Sequence, residues 1–237
     1  MLLPDKPFDG IASEYDATRY GGRKARFTAE VELGVLRDLV RRYVTDNRLF
    51  VDVACGTGHF TVGMAPFFNH AVGVDLSRRM LEKAHAKTTA MIDHCNPDLV
   101  QARVESLPFR SGIASCVFTS RFLHLFPRSE HPRICAWLVS LVRPGGFLII
   151  EHDSPFVETL QVCISWLRGK PRTKFSSYDR SQVLAGVRLL EDFGVSAPGL
   201  PTLSLKCPRL AARMAALFFR GPLKRLSAFV VVVYRKL

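Results

Sequence analysis

Short apolar runs rich in β-branched residues alternate with longer stretches of helical period along this chain. That is the pattern of a parallel sheet covered by helices on both faces. Across residues 23–43 the apolar positions Leu33, Val35, Leu36, Leu39 and Val40 gather on one side of a helix. Residues 49–54 read as a first buried strand, broken at Gly56-Thr57-Gly58 before a helix resumes near His59. A second strand at residues 71–74 runs into a helix over about 77–89, with Ser77 as its N-cap. Residues 98–102 and 113–119 give a third and a fourth strand. A helix over 132–142 closes at the turn Arg143-Pro144-Gly145-Gly146, and residues 147–150 form a fifth strand.

Beyond residue 154 the pattern is less regular. It predicts a helix over 156–167, a basic loop over 168–177 and a second helix over 181–193 ended by Gly194. A strand is expected within 195–205, a helix over 208–220 and a last strand over 228–234. No internal repeat or low-complexity tract interrupts the chain. The 237 residues therefore read as one domain with a core over 8–153, substrate-side helices or a lid over about 154–227, and a last strand over 228–236.

Composition narrows the class. The chain is 48% apolar, with a mean hydropathy of +0.11, as expected of a globular protein with a real core. No apolar run reaches the roughly 18 residues that crossing a bilayer requires. The first residues lack the basic start, apolar run and cleavage site of a signal peptide, so a cytoplasmic location is expected. The six cysteines show no metal-ligand spacing and read as reduced, mostly buried thiols; no metal is expected. The formal charge is +12, and from residue 160 onward 14 Lys/Arg stand against three acids. This asymmetry suits an anionic partner such as a membrane surface or a nucleic acid, and equally suits a solvated basic face.

Two segments carry candidate chemistry. In VDVACGTGHF, residues 51–60, a strand bearing Asp52 feeds a Gly-x-Gly turn that opens a helix, so the backbone can approach a ligand closely. A dinucleotide fingerprint would want a small residue where Thr61 stands, and a Walker A loop is absent. In VGVDLS, residues 72–77, Asp75 ends the neighbouring strand, placed to take two ribose hydroxyls. Together they point to a nucleoside site.

With these motifs in view the chain resembles the class I S-adenosylmethionine (SAM)-dependent methyltransferases. VDVACGTGHF is similar to their first motif and VGVDLSRRML to the acidic loop that follows. VESLPFRSG, FLHLFP and LVRPGGFLII resemble the segments after strand three, at strand four and into strand five. The leader FDGIASEYDATR is similar to that of the ubiquinone/menaquinone C-methyltransferase subgroup. The resemblance covers residues 8–153 and the last strand. It implies an α/β, Rossmann-like three-layer sandwich whose seven-stranded, mostly parallel sheet has the order 3-2-1-4-5-7-6, the last strand being antiparallel. It also implies SAM across the tips of strands one and two, with S-adenosylhomocysteine (SAH) as product.

Carried over by position, Asp52 orients the glycine turn and the methionyl amine, and the backbone meets the cofactor at Ala54, Gly56 and Gly58. Asp75 takes the ribose hydroxyls, Leu76 packs on the adenine, and Val104 offers its amide to the ring. Ser120 borders the methionine portion, and Tyr15 and Arg19 close over the cofactor from the leader. The chain departs from the family at Arg103, commonly an aspartate; either Glu105 substitutes for it or the adenine is read by backbone alone. It departs again at Leu125, where many relatives carry the second histidine of a pair.

Transfer from a sulfonium is an in-line displacement, so the protein's task is to align nucleophile and methyl and to exclude water. A base is needed only where the nucleophile must lose a proton, and His124 is the candidate. Glu151, His152 and Asp153 at the same rim read as polar lining, or alternatively as general acid–base machinery, and His59 as a helix start without chemistry. No Asn/Asp-Pro-Pro-aromatic motif follows strand four, which argues against methylation of nucleobase amines. The reading is a methyltransferase of a small organic or lipid-like acceptor, in which a basic amphipathic helix over 208–220 suits a membrane surface or a lid. The alternatives are an RNA methyltransferase, for which no RNA-binding module is recognisable, and a SAM-binding protein without turnover.

Overall fold

Alternation within the strands decides which helices cover which face. The computed structural model describes residues 8–89, 96–154, 156, 159, 184–195 and 226–237. Along these the elements run α1 (Ala12–Tyr20), α2 (Arg23–Tyr43), β1 (Leu49–Val53), α3 (His59–Met64), β2 (His70–Asp75) and α4 (Arg78–Thr89). Then come β3 (Asp98–Gln101), β4 (Ala114–Ser120), α5 (His131–Leu141), β5 (Val142–Asp153), β6 (Val187–Val195) and β7 (Phe229–Lys236). The seven strands form one sheet of order β3-β2-β1-β4-β5-β7-β6. The pairs among β1 to β5 are parallel, and β7 lies antiparallel to both β5 and β6. This is the expected topology.

Successive side chains of each strand point to opposite faces. Val51, Val117, Leu148, Ile150, Val230 and Val232 therefore pack under Ile134, Cys135 and Leu138 of α5. Phe50, Cys116, Phe118, Ile149, Val231 and Val233 pack under Leu36, Leu39 and Val40 of α2, with Phe60 and Met64 of α3. Both faces of the central strands are thus dry, which is why they appear in the sequence as nearly continuous apolar runs. Ser77 caps α4 as expected, its Oγ accepting the Met80 amide at 3.2 Å.

The structure corrects two expectations. Residues 187–193, expected as part of a helix, form β6. Phe193 and Val195 turn into the core beneath α2 while Arg188 and Leu189 face outward, and the ladder with β7 shifts register between Leu189 and Glu191. β5 begins at Val142 rather than at Phe147. Ala114 pairs with Val142 and Cys116 with Phe147, so Arg143-Pro144-Gly145-Gly146 bulges out of a continuing strand instead of separating helix from strand. The helices expected over 156–167 and 208–220, the basic loop over 168–177 and most of the strand expected within 195–205 lie outside the described residues. Among the described residues no helix is long and apolar enough to cross a membrane.

Candidate functional site

Parallel strands all end on one side, and the C-terminal tips of β1, β2, β4 and β5 gather the polar residues the sequence singles out. The β1–α3 turn is held to β2 by two hydrogen bonds. The Cys55 amide donates to the Val74 carbonyl at 2.9 Å, and the Gly56 amide to Asp75 Oδ2 at 2.8 Å. Asp75 Oδ1 accepts the Ser77 amide at 2.8 Å. Burial raises the Asp75 pKa above the ordinary carboxylate value, while the amides of Ser77, Gly56 and Leu76 pull it back. Asp52 is almost wholly buried and accepts the Thr61 hydroxyl at 2.6 Å. Desolvation lifts its pKa to about 7.

Two adjoining hollows open above these tips. The larger, of about 460 Å³, is lined by Tyr15, Arg19, Asp52, Ala54, Gly56, Asp75, Ser120 and His124 among others. The smaller, of about 70 Å³, is lined by Leu76, Ala102, Arg103, Val104 and Glu105. They share Phe8, Ala54, Asp75, Phe122 and Leu125, and so meet over the tip of β2. Of the residues expected to meet the cofactor, Gly58 alone lines neither. Its φ is +75°, and a Cβ there would stand 2.9 Å from the Ala84 Cβ, so this glycine lets α4 pack against the turn. Gly56, at φ +56°, has nothing within 4 Å of the place a Cβ would take; its backbone faces the hollow.

The leader reaches over from the other side. Asp16 of α1 accepts hydrogen bonds from Thr57 Oγ1 at 2.6 Å and Lys87 Nζ at 3.0 Å, and Lys87 also donates to Thr57 Oγ1 at 3.0 Å. Asp9 accepts the Ser77 hydroxyl. Tyr20 stacks on His59, ring centres 4.5 Å apart, which gives that histidine a packing role. Burial raises the phenol pKa of both Tyr15 and Tyr20.

At the β4–β5 rim, His124 sits in a single 3-10 turn, Leu123–Leu125, with Nδ1 3.9 Å from Asp153 Oδ2. Burial lowers its pKa and Asp153 works against that. The cluster Glu151, His152 and Asp153 is divided by strand alternation. Asp153 lines the hollow, His152 is buried with Nδ1 2.9 Å from the Asp153 carbonyl, and Glu151 accepts the Ser120 hydroxyl. In the smaller hollow Arg103 Nε donates to Glu105 Oε1 at 2.9 Å.

Two residues escaped the sequence reading. Arg121, at φ +49°, donates through Nη2 to Glu32 Oε2 at 2.9 Å and lies 4.0 Å from Glu151. Glu32 is only 3% exposed, an acid within the buried stripe of α2, four positions before Leu36. A charge at the end of an apolar strand and an acid in an apolar stripe were the available signals.

Residues 50–146 match the methyltransferase domain family. The chain is 30% identical over 153 residues to the dTDP-3-amino-3,6-dideoxy-alpha-D-glucopyranose N,N-dimethyltransferase of Streptomyces fradiae, covering 62% of this chain and 55% of that one. It is 34% identical over 109 residues to the trans-aconitate 2-methyltransferase of Deinococcus radiodurans, covering 44% and 38%. The chain thus spans about half the length, or less, of these two relatives. Its fold is shared with magnesium protoporphyrin IX methyltransferase from Synechocystis, solved with bound SAH, at a TM-score of 0.68 and 15% identity over 97% of this chain and 96% of that one. Sheet order, strand-tip motifs and the match over residues 50–146 agree on the methyltransferase domain family as what this chain is similar to.

Proposed function

We propose that the chain transfers a methyl group from SAM to a small organic or lipid-like acceptor, and that residues 1–237 work as one domain for that reaction. The observation that carries the reading is the pair of hollows meeting over Asp75, with a glycine backbone and two acids at one end and His124 at the other. The residues present fit SAM. The open space over Gly56 admits a ligand against the backbone. Each Asp75 oxygen spends one lone pair on an amide and keeps another for a ribose hydroxyl. Leu76, Val104 and Glu105 would frame the adenine, with Arg103 steadying Glu105. Asp52 would face the methionyl amine. Ser120, Tyr15 and Arg19 would enclose the methionine portion.

When bound, SAM supplies a methyl group on a positively charged sulfur, activated for displacement. The chain's part is to align the acceptor and keep water out. Phe8, Tyr15, Tyr20, Phe122 and Phe229 supply an apolar wall for both tasks, and that wall also suits an apolar or lipid-like acceptor. His124, its pKa lowered by burial, is neutral near pH 7 and can accept a proton where the nucleophile must lose one, with Asp153 near its other side. The leader motif supports a place near the ubiquinone/menaquinone C-methyltransferases.

The test is titration with SAH, followed by incubation with methyl-labelled SAM and the small-molecule and lipid fractions of a cell extract. SAH binding with label entering an organic fraction is expected. A folded protein that does not bind SAH would overturn the reading. His124→Gln should lower kcat for an acceptor that is a neutral hydroxyl or ammonium, and leave SAH affinity intact.

A further inference from the structure

Two guanidinium groups converge on one aromatic ring at the far end of the larger hollow. The Cζ atom of Arg121 lies 4.6 Å, and that of Arg19 5.9 Å, from the ring centre of Phe229. All three line the same hollow, yet they come from α1, the tip of β4 and the start of β7. Among the described residues Arg19 has no carboxylate within 4.0 Å. Among those residues, too, Arg121 engages Glu32 through Nη2, and its buried Nη1 meets no acceptor. A buried guanidinium N–H without an acceptor is costly and calls for one.

The acids near Arg121 neutralise it incompletely. Glu32 and Glu151 are both nearly inaccessible to solvent. Burial, together with the charge of the neighbouring Glu151, holds Glu32 well above the ordinary carboxylate range. Two buried carboxylates sharing one guanidinium carry less than two full negative charges at neutral pH. Asp153, which also lines the hollow, stands beside His124. Two arginines therefore face the hollow, and SAM brings a single carboxylate, which Arg19 and Tyr15 enclose in the reading above.

We infer that the acceptor carries an oxyanion, a carboxylate or a phosphate, and that Arg121 receives it against the ring of Phe229. The inference rests on the methyltransferase reading and names its acceptor class. The planar guanidinium fork matches either oxyanion. Anchoring the acceptor there fixes one end of it, so that its reacting atom is presented toward the Ser120 side of the hollow with little freedom left.

Calorimetric titration of the SAH-saturated protein with two separate probes, benzoate and inorganic phosphate, tests the inference. Binding of at least one probe is expected, and the one that binds identifies the oxyanion. Arg121→Lys should weaken it by about tenfold, because the fork is lost while a positive charge remains beside Glu32. Glu32→Gln should tighten it by about threefold, because the share of negative charge that Glu32 keeps beside Arg121 is gone, a gain that misfolding would not produce. If neither probe binds the SAH-loaded protein, or if both variants leave the affinity unchanged, the inference is overturned. If SAH itself does not bind, the methyltransferase reading fails instead.

Discussion

The hydroxyl of Thr57 donates to the carboxylate of Asp16 at 2.6 Å, joining the leader helix to the glycine turn across 41 positions of sequence. Lys87 of α4 donates to both, so three elements around the larger hollow are clasped at one point. Tyr15 and Arg19 lie on the same helix as Asp16 and roof that hollow. Asp16→Asn removes the charge from a partly exposed clasp, so the fold should tolerate it. SAH should then dissociate about fivefold faster in stopped-flow fluorescence, the clasp being a charge-assisted contact worth about 1 kcal/mol or a little more. An unchanged off-rate would mean that α1 does not hold the cofactor in.

Asp75 accepts amides on both oxygens, and the substitution that tests it keeps the side chain's size. Asp75→Asn turns one acceptor into a donor facing the Gly56 or Ser77 amide. SAH affinity should fall by about tenfold or more, the charge-assisted share of two hydrogen bonds to ribose. Calorimetry reads this directly, and an affinity within twofold of the parent would remove Asp75 from the site.

The two glycines of the turn should separate stability from binding. At Gly56 an alanine meets no atom within 4 Å, so Gly56→Ala should cost about 1–2 kcal/mol from the left-handed backbone alone and weaken SAH strongly. At Gly58 the added methyl also meets Ala84 at 2.9 Å. Gly58→Ala should cost more, about 2–4 kcal/mol with the overpacking included, while the correctly folded fraction retains SAH affinity. Urea denaturation of the two variants beside SAH titration checks the contrast; equal losses in both measurements would refute it.

Protonation of Asp52 should move stability and binding in opposite directions. Its pKa is about 7 in the folded chain, against roughly 3.9 for an unfolded aspartate. A carboxyl whose pKa is raised on folding favours the native state fully below the unfolded value, and that contribution is lost as pH rises toward the folded value. The cofactor-free protein should therefore lose stability between about pH 4 and pH 7 from this group, with Glu151, also near 7, adding to the trend. A cationic ligand needs Asp52 ionised, so SAM affinity should weaken below pH 7. Melting curves across this range, with and without SAM, read both trends. Asp52→Asn should flatten the first and abolish most of the second.

Much of this arrangement was legible because local pattern and burial agree. β1 and β4 are dry on both faces, so each stands out as an apolar run, and the acids at their neighbours' tips follow from position along the chain. β6 was not legible for the opposite reason. Leu189-Leu190-Glu191-Asp192 favours a helix locally, and the register shift beside Leu190 breaks the two-residue alternation that would have marked a strand. Its pairing with β7 overrides that preference. Arg121 and Glu32 were each visible as polar residues in apolar surroundings, but they are 89 positions apart. Which buried charges meet is decided by the crossing of α2 over the tip of β4, and no spacing rule encodes that crossing.

The seventh strand lies inside the sheet rather than at its edge. β7 pairs on one side with β5 and on the other with β6, from Phe229 to Lys236. During vectorial synthesis β6 emerges before the strand it must lean on, and β5 presents an unpaired edge until some 75 further residues have been made. Open edges of this kind invite pairing with other chains. The half of the sheet that carries His124, Asp153 and Phe229 is therefore the half that a nascent chain completes last, and both exposed edges close together when β7 slots between them.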